Sequence, residues 1–163
     1  MLEQIRLIRK KDPSTHSFFE ILFLDTFWVV ILYRISHFLY ERKLFFISRF
    51  IMGRVKRKYA VDIHPGAIIG KRFFIDHGIG IVIGETAVIG NDVSIYHGVT
   101  LGAVKFNLKK RHPTIGDNVF IGCNATILGD ITIGDNVKIG ANSLVLKNIP
   151  SNCTVVGNNT IIK

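Results

Sequence analysis

The sequence predicts a mainly β chain, a parallel β-helix of hexapeptide repeats behind an N-terminal α-helical subdomain, from two observations. An aliphatic residue returns every sixth position from Ile63 onward, and a small or branched residue follows it four positions later, as at Ala67, Ala87, Val119 and Ser143. The aliphatics stand at Ile63, Ile69 and Ile75, then at Ile83, Ile89, Ile95 and Leu101. After a gap they resume at Ile115, Ile121, Ile127, Ile133, Ile139 and Val145. Neither the helical period of 3.6 nor strand alternation generates this spacing, which is the mark of a parallel β-helix.

Each hexapeptide supplies one short strand and a corner, and three make a coil. Equivalent aliphatics then stack about 4.8 Å apart along the axis. The thirteen repeats amount to roughly four coils, enough for a continuous core. Gly, Asn and Asp are expected to supply the corner conformations. The beat breaks twice. "GIGIV" adds two residues before Ile83, just after His77, and residues 103–114, "AVKFNLKKRHPT", form a polar, basic excursion. Loops leaving a rigid repeat are where function concentrates, so both breaks mark candidate site edges.

Residues 1–60 read as helices: a short amphipathic one over 2–11, a stop at Asp12-Pro13, a long apolar one over 17–40 and a basic amphipathic one over 43–58. The expected division is a helical subdomain at 1–60, the β-helix at 61–150 and a short tail of little periodicity at 151–163. Of the net charge of +9, residues 1–60 contribute +7, from 12 Lys/Arg against 5 Asp/Glu. A basic front end could meet nucleic acid, acidic lipid or phosphorylated metabolites. Its charges alternate with apolar residues, the pattern of solvated helix faces, so neither a nucleic-acid nor a membrane partner is expected. The apolar run at residues 18–33 is interrupted by Glu20 and Asp25 and falls short of the about 18 clean residues that a spanning helix needs. Cys123 and Cys153 lack CxxC spacing, and no secretory leader precedes them, so reduced thiols and a cytoplasmic location are expected.

A prism filled with isoleucine has no axial pocket, so a site must lie outside, where loops meet another surface. Flat faces favour a cyclic trimer with grooves between prisms, and His77 could meet Arg111-His112 across one.

The blocks "DIHPGAIIG", "IDHGIGIVIGETAVIG", "GVTLG", "KRHPTIGDN" and "IGANSLVL" closely resemble the bacterial serine acetyltransferases over residues 12–150. These are left-handed parallel β-helix enzymes that make O-acetylserine from acetyl-CoA and L-serine for cysteine synthesis. The resemblance implies a homotrimer or dimer of trimers, a helical subdomain truncated at its N-terminus, and no metal. It implies His77 as general base on the serine hydroxyl, with Asp62 orienting that ring. Asp12 and Asp76 would bind the serine ammonium and Arg111 its carboxylate, with His112 completing the pocket from the adjacent subunit. Ala103 would offer its N–H to an oxyanion. Lys105, Lys109, Lys110 and Lys138 would meet coenzyme A phosphates.

Blander readings stand beside these. Asp62 reads also as a turn cap, Asp76 as a tuner of its neighbour His77, and Asp12 as the Asp-Pro turn ending a helix. His16, His37, His64 and His97 read as structural, as does Glu85. The family's loop after "VTLG" is rich in Gly and Thr, whereas here it reads "AVKFNLKK". Where many members end in the isoleucine that docks into cysteine synthase, this sequence reads Ile162-Lys163, which argues against a tight complex with that enzyme. Three other functions fit parts of the pattern: acetyl transfer to a sugar or other alcohol, a β-helical zinc carbonic anhydrase using His77, His97 and His112, and a non-catalytic scaffold.

Overall fold

A computed structural model describes residues 2–105, 109–158 and 160–162. Lys163, and with it the expectation for the chain's last residue, lies outside the described residues. Four helices come first: α1 Leu2–Lys11, α2 Phe18–Ile21, α3 Asp25–Glu41 and α4 Phe45–Tyr59. The helix expected over 17–40 is therefore two helices. Ile21 and Phe27 belong to one small core with Ile5, Leu7, Ile8 and Phe74. Six residues apart on a straight helix they would point about 120° from each other, on different faces. The turn at residues 22–24 lets both face inward. Ser17 and Glu20 form a capping box that starts α2, and the Trp28 indole donates to the Leu22 carbonyl at 2.8 Å across the break. Among the described residues no helix is long and apolar enough to cross a membrane.

Beyond Ala60 the chain winds as a left-handed parallel β-helix. Coil one holds β1 Asp62–Ile63, β2 Ile68–Ile69 and β3 Phe74–Ile75, and coil two β4 Val82–Ile83, β5 Val88–Ile89 and β6 Ser94–Ile95. Coil three holds β7 Thr100–Gly102, β8 Thr114–Ile115 and β9 Phe120–Ile121, and coil four β10 Thr126–Leu128, β11 Thr132–Ile133 and β12 Lys138–Ile139. Three parallel faces result, β1-β4-β7-β10-β13, β2-β5-β8-β11 and β3-β6-β9-β12-β14. Residues 151–158 of the expected tail help to close a fifth coil. β13 Leu144–Val145 extends the first face, Ile149 bridges to Ile133 on the second, and β14 Thr154–Val156 extends the third. β15 Thr160–Ile162 then pairs antiparallel with β14 along that edge. The physical reason lies in Ile149, Cys153 and Val155, which continue the buried stack in the same beat after a shortened step of four residues from Val145.

The helices seat on the first coils through α3, where Tyr33 Oη donates to the Ala67 carbonyl at 2.5 Å and the Arg34 guanidinium donates to the Ile69 and Gly70 carbonyls. His37 reaches the Pro65 carbonyl at 2.7 Å. Inner residues of α3 and α4, Val29, Val30, Tyr33, Met52 and Val55, join the same core as the prism isoleucines.

Two substitutions test this packing. Ala60 ends α4 in a left-handed conformation, φ 53°, where a β-carbon is strained. Ala60→Gly is expected to raise stability by up to about 1 kcal/mol in urea unfolding. Ile95→Ala, which empties a fully buried rung, is expected to lower it by about 2–5 kcal/mol. Stability unaltered by the second substitution would contradict the stacked core.

Candidate active site

His77 follows β3, and the two extra residues after it turn the chain sharply. Its φ is 59°, and Gly78 and Gly80 follow at 75° and 77°. The side chain is 71% exposed, with Nε2 3.7 Å from Asp76 Oδ1 and its ring edge-to-face with His97, centroids 6.0 Å apart. Beside it lies a cleft of about 600 Å³, lined by Asp12, Asp25, Asp76 and His77 with Phe23 and Phe74 among others. Asp12 enters from the loop after α1. Its carboxylate accepts from Ser14 Oγ at 2.6 Å, Ser14 N at 2.9 Å and Thr15 Oγ1 at 3.0 Å. Those hydrogen bonds, the Ser14 hydroxyl first, hold the Asp12 carboxyl below its ordinary range. A base flanked by carboxylates can hold a cationic group and take a proton from a neighbouring hydroxyl.

A second cleft, about 540 Å³, opens at a different corner of the prism. Arg49, Asp62, His64, Gly84, Glu85, Ala103, Arg111 and His112 are among its lining residues. Thr86 organises it. Its hydroxyl oxygen accepts from the backbone N–H groups of Arg111 at 3.1 Å and His112 at 3.2 Å. Its own N–H donates to His112 Nδ1 at 3.1 Å, and its Oγ1 lies 2.9 Å from the same nitrogen. With Nδ1 accepting, the neutral ring carries its proton on Nε2 and presents a donor. Burial, then the charges of Arg111 and Lys110, hold the His112 imidazole below its ordinary value, so it stays neutral. The Arg111 guanidinium donates to Glu85 Oε2 at 2.6 Å, and Tyr40 Oη donates to Glu85 Oε1 at 3.1 Å. Burial pushes the Glu85 carboxyl up, but these two hydrogen bonds outweigh it and leave the group low. The cleft thus combines a fixed guanidinium with a neutral imidazole donor, a pairing suited to a carboxylate.

The structure brings Asp12, Asp76 and His77 together in one cleft and Ala103, Arg111 and His112 in the other. Within one chain it does not bring Asp62 to His77. Asp62 takes an ion pair from Lys56 at 2.5 Å and lines the cleft of Arg111. Lys105, Lys109 and Lys138 are exposed. Lys110 is already occupied, donating to the carbonyls of Thr86 at 2.6 Å and His112 at 2.5 Å. Glu85, read as structural, holds Arg111 in place, while Gly84 and Thr86 carry roles at this site that the sequence alone does not reveal. A β-carbon on Gly84 would lie 2.0 Å from His112 Nε2, so glycine is the residue that admits the ring. All three belong to the quoted "GET" block, where the signal lay. Among the described residues no three His, Cys, Asp or Glu side chains converge as a metal site.

Comparison with known proteins gives one family. The bacterial transferase hexapeptide model (six repeats) matches residues 112–147. A serine acetyltransferase of Bacillus subtilis is 48% identical over 160 residues, 95% of this chain and 72% of that protein. A crystal structure of Neisseria gonorrhoeae serine acetyltransferase in complex with serine superposes with a TM-score of 0.91 at 43% identity, over 96% of this chain and 64% of that one. The serine acetyltransferase of Brucella abortus in complex with coenzyme A superposes at 0.94 with 39% identity, over 98% and 64%. The chain therefore spans rather less than three quarters of the length of these relatives.

The buried, neutral His112 has a consequence for pH. Unfolded, such a ring takes a proton near pH 6.5, and folded it does so only lower. Between those values the unfolded chain binds the extra proton, so stability falls as pH falls and levels off below the folded value. The NMR titration of the His112 ring is expected to have its midpoint below that of an ordinary histidine. A midpoint at or above about 6.5 would contradict this environment.

Proposed function

Because the chain belongs to the serine acetyltransferase family, we propose that it transfers the acetyl group of acetyl-CoA to the hydroxyl of L-serine. The observation that carries this reading is the division of complementary chemistry between two corners of one prism. His77 with Asp12 and Asp76 follows the third face, and Arg111 with His112 precedes β8 on the second. A zwitterion with a nucleophilic hydroxyl needs both halves, so the site forms where one copy's His77 corner meets another copy's Arg111 corner, as in a cyclic trimer.

In that groove Asp12 and Asp76 hold the serine ammonium. Arg111 and His112 Nε2–H of the neighbouring copy hold its carboxylate. His77 takes the hydroxyl proton as the oxygen attacks the thioester carbonyl, and a tetrahedral intermediate forms. A backbone N–H at Ala103, beside His112, offers the oxyanion a donor. Collapse breaks the carbon–sulfur bond, and His77 returns the proton to the departing thiolate. Asp62, in the cleft of Arg111, orients the neighbouring copy's His77 rather than its own.

Release of free thiol from acetyl-CoA, measured against serine, homoserine, threonine and hexoses, tests the reaction. Serine is expected to be preferred, and its methyl ester to react with a much lower kcat/KM, because the ester cannot form the paired contact with Arg111. Equal efficiency for acid and ester, or preference for a hexose, overturns the amino acid acceptor.

The shared groove is tested by mixing. His77→Ala is expected to lower kcat by about 10²–10⁴, and His112→Ala to be severely impaired by itself. Refolded together, the two variants are expected to regain activity, because some grooves then receive both native residues. No regain from two variants that are each inactive contradicts a site shared between copies.

A further inference from the structure

The rung directly beneath His77 carries two side chains with no assigned role. β3 and β6 pair with Phe74 against Ser94 and Ile75 against Ile95, so one step further Asp76 stands over Tyr96 and His77 over His97. The step is fixed by the Asp76 N–H, which donates to the Ile95 carbonyl at 2.9 Å. The two imidazoles meet edge to face, with an interplanar angle of 77°. Burial, and then the Asp76 carboxylate that the Tyr96 hydroxyl faces, pushes the phenol up.

The lower pair is itself anchored. The Tyr96 ring packs on Phe120 one rung further down, centroids 5.3 Å apart, and His97 is half-buried. The upper pair is not. His77 sits on a left-handed backbone, is largely exposed, and among the described residues its ring meets only Asp76 and His97. An imidazole with two free torsions needs a neighbour to select one orientation before it can act as a base. We propose that His97 and Tyr96 are positioning residues, His97 selecting the orientation of the His77 ring by edge-to-face packing and Tyr96 that of the Asp76 carboxylate.

The inference rests on the proposed role of His77 as base and of Asp76 as ammonium partner. Substitutions at the two positions therefore part in kinetics. His97→Ala is expected to lower kcat about tenfold to a hundredfold with little effect on the KM for serine. His97→Phe keeps a ring in place and is expected to recover most of that loss. Tyr96→Phe is expected to raise the KM for serine and spare kcat. A second readout does not depend on activity. Three-bond couplings across χ1 of His77 are expected to report one rotamer in the wild type and in His97→Phe, and averaging in His97→Ala. Wild-type kcat in His97→Ala, equal losses in the Ala and Phe variants, or a single His77 rotamer in His97→Ala each overturn the positioning role. Averaged couplings in His97→Ala, alongside full activity of His77→Ala, would instead remove His77 as the base and leave the packing intact.

Discussion

The rise from one coil to the next, set by parallel backbone hydrogen bonds, is the constraint from which everything else in this chain follows. All thirteen recurring aliphatics are at most 5% exposed, so the interior is a filled column. The corners inherit the same register. Arg72 stands over Asp92 and grips it through two hydrogen bonds of 2.6 Å. Further along the same edge Asn118 donates to Asn136 at 2.8 Å, and Asn136 to Asn152 at 2.9 Å. An active residue placed at a corner therefore arrives with a ready neighbour one rung away.

The same spacing gives the recurring glycines a different meaning from the one expected. The left-handed residues along that edge are Arg72, Asp92, Asn118, Asn136 and Asn152, not the glycines after the aliphatics. Gly70, Gly90 and Gly116 are required by proximity. A β-carbon at Gly70 would meet the Gly90 carbonyl oxygen at 2.5 Å, and at Gly90 or Gly116 the Asp side chain of the next coil at 2.3 or 2.4 Å. Conformational freedom is needed instead at Gly78 and Gly80, where the extra residues lift His77 out of the wall.

The β-helix was legible because its signal is periodic, and each isoleucine repeats the same statement about burial. What failed to show was local or spatial. The break between α2 and α3 leaves only a slight trace, Asp25 at the start of α3 within an apolar run, and it is the shared core of Ile21 and Phe27 that makes use of it. The fifth coil hid because Ile149 follows Val145 after four residues instead of six, so Ile149, Cys153 and Val155 fill the column out of phase with the earlier beat. Within the site, residue types could be read from motif blocks, but not the partition between corners. That partition depends on the winding of the chain, which sends Asp62 to the side of Arg111 and away from His77. Lys110 looked like a free cation because a sequence does not reveal that two carbonyls already hold its ammonium.

The two corners differ in how they can select a ligand. Asp12, Asp25 and Asp76 give the first cleft an excess of negative charge, so a cation is drawn there by field as well as by contact. At the second, Arg111 is already balanced by Glu85 and His112 is neutral, so attraction at a distance is weak. What remains is direction. Tyr40 fixes Glu85, Glu85 fixes one arm of the guanidinium, and Thr86 fixes the tautomer and tilt of the imidazole. Donors held this way reward a planar carboxylate that meets them in register, and they offer little to an anion of another shape. In the proposed groove between copies an amino acid would be oriented by charge at one end and by geometry at the other. Its side-chain hydroxyl would then face the corner that carries His77.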